Sequence, residues 1–325
     1  LQDLVSNFAT PETNPYNNKP KGVEMCEFFS CIVMKNKKVI WEAGLNAHHE
    51  ILEKYKINDN THDQSALKFA RVEIIPPSAL DGAFEKDLKK WNFSVDEKTV
   101  PEWFSPAHKV AAFSALKECL SECLIDGVEL DEVSGKKGLF VRNSTIKKLI
   151  NSTVQEMWNN SIVQEMRSNS IVQKMRDNSI VRKMLDTSIV QDMLGDSTVH
   201  KMLDNSTVHQ MRGYSTVHEM WNYSTVRKMW NYSTVRKMWG DSTVQEMRDN
   251  SIVQEMRDNS IVQELLDAST VQKMWDISTV QEMLDNSTVC VYSKGVTYKI
   301  VSPMAVAVCR FSKTVVCETL FKRDA

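Results

Sequence analysis

The chain has 325 residues, 42% hydrophobic and 25% charged, with a formal net charge of −2 and a pI near 6.4. This is the composition of ordinary globular domains, in a chain long enough for two of them. The charge balance favours neither nucleic acid nor a membrane surface, and no apolar run approaches the ~20 residues of a membrane helix.

Residues 1–24 are rich in Asn and Pro and lack periodicity, which predicts an extended arm. They show no basic stretch followed by an apolar one, so no secretory leader is expected. A compact α+β head is expected over 25–142. Its first element is a hairpin in FFSCIVMKNKKVIWEAG, with two β-rich runs around Asn36-Lys37-Lys38. Ala47 to Tyr55 reads as a helix, and Phe69 to Ile75 as a strand stopped by Pro76-Pro77. Ser105 is an N-cap with Pro106 at the first helical position. Beyond it Val110, Phe113, Leu116, Leu120, Cys123 and Leu124 form one apolar helical face. Trp91, Trp103 and Phe104 are expected in the core, and Gly138 to Val141 reads as a short strand.

From Asn151 a nine-residue register takes over: NSTVQEMWN, NSIVQEMRS, NSIVQKMRD and so on, for about fifteen units to Asp285. Position 2 is Ser, position 4 Val, and position 7 Met or Leu. An eight-residue version, Asn143 to Ile150, precedes the array. On a helix, nine residues at 100° leave successive units half a turn apart, so the valines alternate between opposite faces. Asn, Ser, Thr and Val are also middling or poor helix formers. On a strand, positions 2 and 4 point the same way. A corner or bulge near positions 5 and 6 then brings position 7 inward as well. Asn, Asp or Gly at position 9 suits a second corner, because these residues tolerate left-handed backbone. The array therefore predicts a β-solenoid over 143–290, in which ladders of Ser, Val and Met are buried by stacking. A β-rich cap is expected over 291–325.

Position 6 tests the coil length. Pairing each unit with the second one on gives roughly eight opposite-sign neighbours and three like-sign ones. Pairing with the third gives roughly four and six. Stacked charges favour opposite signs, so two repeats per 18-residue coil are expected.

The repeats resemble pentapeptide-repeat and related short-period solenoids. The head motifs MCEFFSCIV at Met25, HHEI at His48, RVEIIP at Arg71 and VDEKTVPEWF at Val95 resemble uncharacterised phage and prophage proteins in which a small α/β head precedes a degenerate repeat tail. The resemblance implies a phage or mobile-element origin and a family start at Met25, with residues 1–24 an added arm. It carries no activity and no site residues.

On the two-repeat coil, position 5 of one side reads Gln164, Arg182, His200, His218, Arg236, Gln254. Position 6 beside it contributes Lys183, Lys201 and Lys237, interrupted by Glu219, and position 8 supplies Trp221 and Trp239. The other side is more mixed, with Gln191, His209, Arg227, Asp192 and Lys228. Between Asp196 and Gly240 there are roughly six basic side chains and three acidic ones. Arg and Lys beside Trp and Tyr suit a protein–protein hot spot, and also phosphate contact with base stacking. Near-identical neighbours such as YSTVRKMWN and YSTVRKMWG offer a plainer origin, copying by duplication. The expected partner is a macromolecule, a protein ahead of nucleic acid, with no membrane and with homo-oligomerisation open.

In the head, His48-His49-Glu50 is the only candidate for a metal or a general base, against a solvated turn. A nucleophilic role for Cys26 would need the chain to start at Met25. Cys119 and Cys123 share a helical face and read as small buried hydrophobes. The seven cysteines form no CxxC pair or zinc spacing, so reduced thiols in a cytosolic compartment, a bacterial host's if phage-derived, are expected. No phosphate loop, serine-nucleophile motif or HExxH occurs, and no cofactor is expected. The reading is a non-enzymatic interaction protein. The alternatives are an enzyme in the head with the solenoid as oligomerisation device, or a structural part of a phage particle.

Overall fold

The computed structural model describes residues 29–58, 68–78 and 82–311. The expected arm, Met25, Cys26 and the last residues of the expected cap lie outside them. Contacts divide the chain into two compact units between Leu124 and Ile125.

Among the described residues the N-terminal unit is a four-stranded antiparallel sheet with two α-helices. Strands β1 (Phe29–Met34) and β2 (Val39–Ile40) form the expected hairpin, whose turn places Lys37 at φ 69°. Helix α1 covers His48–Lys54, and β3 (Phe69–Ile75) pairs with β1. Strand β4 (Asn92–Val95), absent from the sequence reading, completes the order β2-β1-β3-β4. Helix α2 (Pro106–Cys123) begins at the expected cap. There the backbone N–H of Ser105 donates to Nδ1 of His108 at 3.1 Å. Nδ1 is thereby the acceptor, so Nε2–H donates to the carbonyl of Lys35 at 3.0 Å. One buried histidine thus ties the start of α2 to the β1–β2 turn.

Alternation along the strands splits the core in two. Phe29, Cys31, Val33, Val72 and Ile74 face Ala112, Phe113, Ala115, Leu116, Cys119 and Cys123 of α2. Ile32 and Phe69 meet Ile51 and Leu52 of α1. The buried face of α2 runs through its alanines, and Val110 and Leu120 lie only half-buried at its margin. Trp91 is buried, Phe104 packs on the same core, and Trp103 sits half-buried with its ring 5.1 Å from that of His108.

The second unit is a β-solenoid. Two parallel sheets of eleven strands each take alternate strands of the chain, so every coil contributes one strand to each sheet. Register partners are 18 residues apart, as in Ile162↔Ile180 and Val163↔Val181 on one sheet and Ile171↔Ile189 on the other. Two repeats per coil are thereby established. The stack extends beyond the repeats at both ends. Leu124–Asp126, Glu129–Ser134 and Leu139–Arg142 already lie in these sheets, and Thr297–Ile300 and Val306–Cys309 continue them.

The repeat strands cover positions 3 to 7, for example Thr207–Met211, and in the first two repeats run on to position 8. Positions 2, 4 and 7 are buried throughout, so Ser, Val and Met or Leu fill the space between the sheets. Positions 5 and 6 both face outward, and the register pairs positions 3, 4, 6 and 7 while passing over position 5. The irregularity expected near positions 5 and 6 is therefore a local kink in an unbroken strand. No corner interrupts the strand there. The corner expected at position 9 is present: Asp186, Asp204, Asn222, Asp258 and Asp267 all have φ between 53° and 57°. Most corners close with a bond such as Ser206 N–H to the carbonyl of Leu203 at 3.2 Å. At Gly213 (φ 69°) a Cβ would lie 3.3 Å from the backbone nitrogen of Gly195 one coil away.

Aspartate adds a bond between coils. Asp249 N–H donates to Asp267 Oδ2 and Asp267 N–H to Asp285 Oδ2, both at 3.1 Å. Asn keeps both the left-handed backbone and the acceptor, whereas Ala loses both. Asp267→Ala is therefore expected to lower unfolding stability by about 1 kcal/mol, and Asp267→Asn to leave it nearly unchanged. Urea denaturation of the two variants beside the parent checks this.

Candidate interaction surface

All nine candidate side chains stand on one sheet, on the four successive strands Ile180–Met184, Thr198–Met202, Thr216–Met220 and Thr234–Met238 or in the turns after them. The 18-residue coil accounts for this, because it repeats each position on the same side. At positions 5 and 6 of these strands Arg182, Lys183, Lys201, Arg236 and Lys237 bring five cations against one carboxylate, Glu219, while Asp186 and Asp204 stand in the turns after the first two strands. Glu165 and Glu255 bracket this band as register partners of Lys183 and Lys237.

Position 5 forms the ladder Arg182, His200, His218, Arg236. The two imidazoles stack with centroids 4.8 Å apart and planes 7° from parallel. Burial lowers the pKa of both below the usual histidine value. Arg182 and Arg236 add to the effect on His200, and Arg236 and His200 to that on His218. The pair is therefore neutral near pH 7, and the guanidiniums carry the charge. Arg182 and Arg236 are exposed and make no ion pair with another described residue.

At position 6, Lys183 lies 3.6 Å from Glu165, and Lys201 lies 3.1 Å from Glu219. Burial pushes the Glu219 carboxyl up, but hydrogen bonds from Lys201 and Trp221 and the charges of Lys201 and Lys237 hold it below the usual range. Lys183 and Lys201 are direct register partners of like charge. Lys237 stands over the Trp239 ring at 5.3 Å, and Trp221 packs on Trp239 with centroids 4.0 Å apart.

The sequence reading named Tyr beside the basic side chains but placed none of the position 1 tyrosines among the site residues. Tyr214 and Tyr232 stack at 5.5 Å in the turn that precedes these strands, 65% and 54% exposed. The basic ladder is thus bordered by tyrosines at one end of its strands and tryptophans at the other. The signal was present, since tyrosine replaces Asn or Asp at position 1 in only three units, Tyr214, Tyr223 and Tyr232. The opposite sheet carries a lesser cluster, with Arg212 over Trp230 at 4.5 Å and Lys228 at 5.9 Å.

In the N-terminal unit, His48-His49-Glu50 does not form one group. His48 is buried, while His49 and Glu50 are exposed. His48 instead approaches Glu73 and Asp96. Burial pushes the Cys31 thiol up. A hydrogen bond with Cys123, then burial, does the same for Cys119, so these thiols resist forming the thiolate a nucleophile needs. Cys119 and Cys123 lie 3.7 Å apart through sulfur, in the core as expected. No described helix is long and apolar enough to cross a membrane.

Comparison of the chain with protein-family models, with characterised proteins and with solved structures gives no match.

Burial also lowers the pKa of His209, aided by Arg227. With three folded-state values below the unfolded one of about 6.5, the unfolded chain binds more protons. Stability is then complete above pH 6.5 and falls as pH drops through it towards the folded values. The melting temperature of the parent is expected to fall between pH 7.5 and pH 5.5. A variant with His200, His209 and His218 replaced by Gln is expected to be flatter over that interval.

Proposed function

We propose that the protein is a non-enzymatic interaction protein whose solenoid presents the Arg182–Trp239 band to an acidic protein partner. One observation carries this reading: two exposed guanidiniums without ion-pair partners among the described residues stand in a continuous ladder bordered by aromatic pairs. Stability does not call for such a band, since position 5 of the same sheet is Gln at Gln164, Gln254 and Gln272 on the same backbone. Arg, Trp and Tyr are the residues that dominate protein–protein hot spots, because each offers a large, specific contact on desolvation. Complementary charge adds orientation and encounter rate. The freedom of the five described cysteines from disulfides supports a reducing, cytosolic setting as part of the same proposal.

The test compares the tagged full chain with the variant Arg182→Ala, Trp221→Ala, Arg236→Ala, Trp239→Ala in quantitative pull-downs from the native host. All four side chains are outside the buried columns, so the solenoid is expected to fold unchanged. Loss of two or more hot-spot contacts costs at least ~2 kcal/mol, a factor of about 30 in affinity. A protein with an acidic face is expected to be lost from the variant profile. An unchanged profile contradicts the proposal, and loss of nucleic acid in place of protein reassigns the partner.

A further inference from the structure

The N-terminal unit holds a separate group of chemistry-bearing side chains, and its geometry does not depend on the solenoid reading. His48 is the first residue of α1. It shares a helical face with Ile51 and Leu52, which pack on Phe69 of β3. Phe69, Arg71 and Glu73 alternate onto that same side of β3. Asp96, just past β4, is placed by its backbone N–H, which donates to the carbonyl of Arg71 at 2.9 Å. Three elements therefore converge on one point. A ring nitrogen of His48 and one carboxylate oxygen each of Glu73 and Asp96 all lie within 4.8 Å of one another, and the nitrogen that faces Asp96 is Nδ1.

The orientation of His48 is set from its other side. Nε2 is 3.1 Å from the carbonyl of Val72, which can only accept, so Nε2 carries the hydrogen. Nδ1 then directs its lone pair towards two carboxylates. Electron-pair donors so arranged can share a cation, either a proton or a metal ion. The Nδ1 to Asp96 Oδ2 distance is 3.3 Å. A charge-assisted hydrogen bond closes to about 2.7–2.9 Å. Two ligand atoms on a tetrahedral ion with bonds of about 2.0–2.1 Å are about 3.3–3.4 Å apart. The spacing of this pair fits the metal, and Glu73 supplies a third oxygen within 4.8 Å of the other two ligand atoms. The neighbouring guanidinium, Arg71, is held in a paired contact with Glu97 at 2.8 and 3.0 Å.

We propose that His48, Glu73 and Asp96 bind a divalent metal ion of the zinc class. One imidazole and two carboxylates suit a borderline cation better than a thiophilic one. The carbonyl of Val72 fixes the tautomer and orientation of the ligating ring from the outer shell. His48 is 8% exposed while the Asp96 side chain is 56% exposed, so the site is anchored in the core and opens to solvent on one side. Three protein ligands leave a position on the metal for water or for a substrate atom.

The test strips the full chain with a chelator and titrates it with Co2+, followed by visible absorption, with Zn2+ in competition by calorimetry. One equivalent of tetrahedral Co2+, displaced by Zn2+, is expected. His48→Gln keeps an N–H for the Val72 carbonyl but removes Nδ1, and it is expected to abolish the absorption bands. Asp96 is exposed, so Asp96→Asn tests the same site without endangering the fold. It is expected to weaken binding at least about 10- to 100-fold. Only the spectrum of the hydrated ion, or equal uptake by the parent and both variants, overturns the proposal. Equal uptake would assign the metal to surface histidines such as His200 and His218.

Discussion

A nine-residue unit with three inward side chains has nowhere to bury them by itself. Ser, Val and Met at positions 2, 4 and 7 leave water only when the next coil lies directly above and a strand of the facing sheet closes the other side. Every other property of the second unit follows from this. Parallel strands ordinarily need a long crossover, and here the crossover from Met184 to Thr198 is the strand of the opposite sheet with a turn at each end. The turns have to be tight, so position 9 takes left-handed backbone, and Asp, Asn, Gly and once Ser occupy it. Methionine suits an interior shared by many near-identical coils, because its flexible thioether adapts to small differences in spacing.

The same constraint releases the outward positions. Positions 5, 6 and 8 contribute little to the core, so substitutions there change the surface and leave the coil intact. A period of two units then stacks like positions along one side at a single coil's spacing. A few copies of one unit become a continuous ladder: two histidines face to face, two lysines in register, two tryptophans in contact. Duplication accounts for the copying. It does not account for the five cations of one sheet, whose counterparts further along that sheet include Glu255, Gln254 and Gln272. Surface ion pairs such as Lys201–Glu219 add little stability each. The 18-residue spacing of the position 6 pairs, as in Lys183–Glu165 and Lys228–Glu246, matters more as a selector of register.

The coil was legible because its signal is repeated fifteen times and because charge alternation at position 6 separates two units per coil from three. The kink at position 5 was legible only as a necessity, since simple alternation turns Met outward. The ends were not. Ile125, Val133, Leu139 and Val141 enter the same core without the Ser-x-Val signature, and Gly127 and Gly135 take their corners at φ 68° and 66°. Sequence alone gives such isolated strands no register. Strand β4 was missed because its four residues, Asn92–Val95, make too short a run to read as a strand and lie at a sheet edge. The tyrosines of position 1 were named beside the basic side chains without being placed on the band. His48 was singled out for the wrong neighbours, because Glu73 and Asp96 meet it only through the pairing of β3 with β4 and the docking of α1.

Disulfide mapping of the coil tests the central claim most directly. Glu246 and Glu264 are register partners on adjacent coils of one sheet. Cysteines at these two positions are expected to cross-link on mild oxidation, with the linked peptide identified by mass spectrometry. Cysteine at 246 with cysteine at 255, on the opposite sheet, is expected not to. A link from 246 to 273 in preference to 264 would require three units per coil. It would contradict the two-sheet core and the basic ladder built on it.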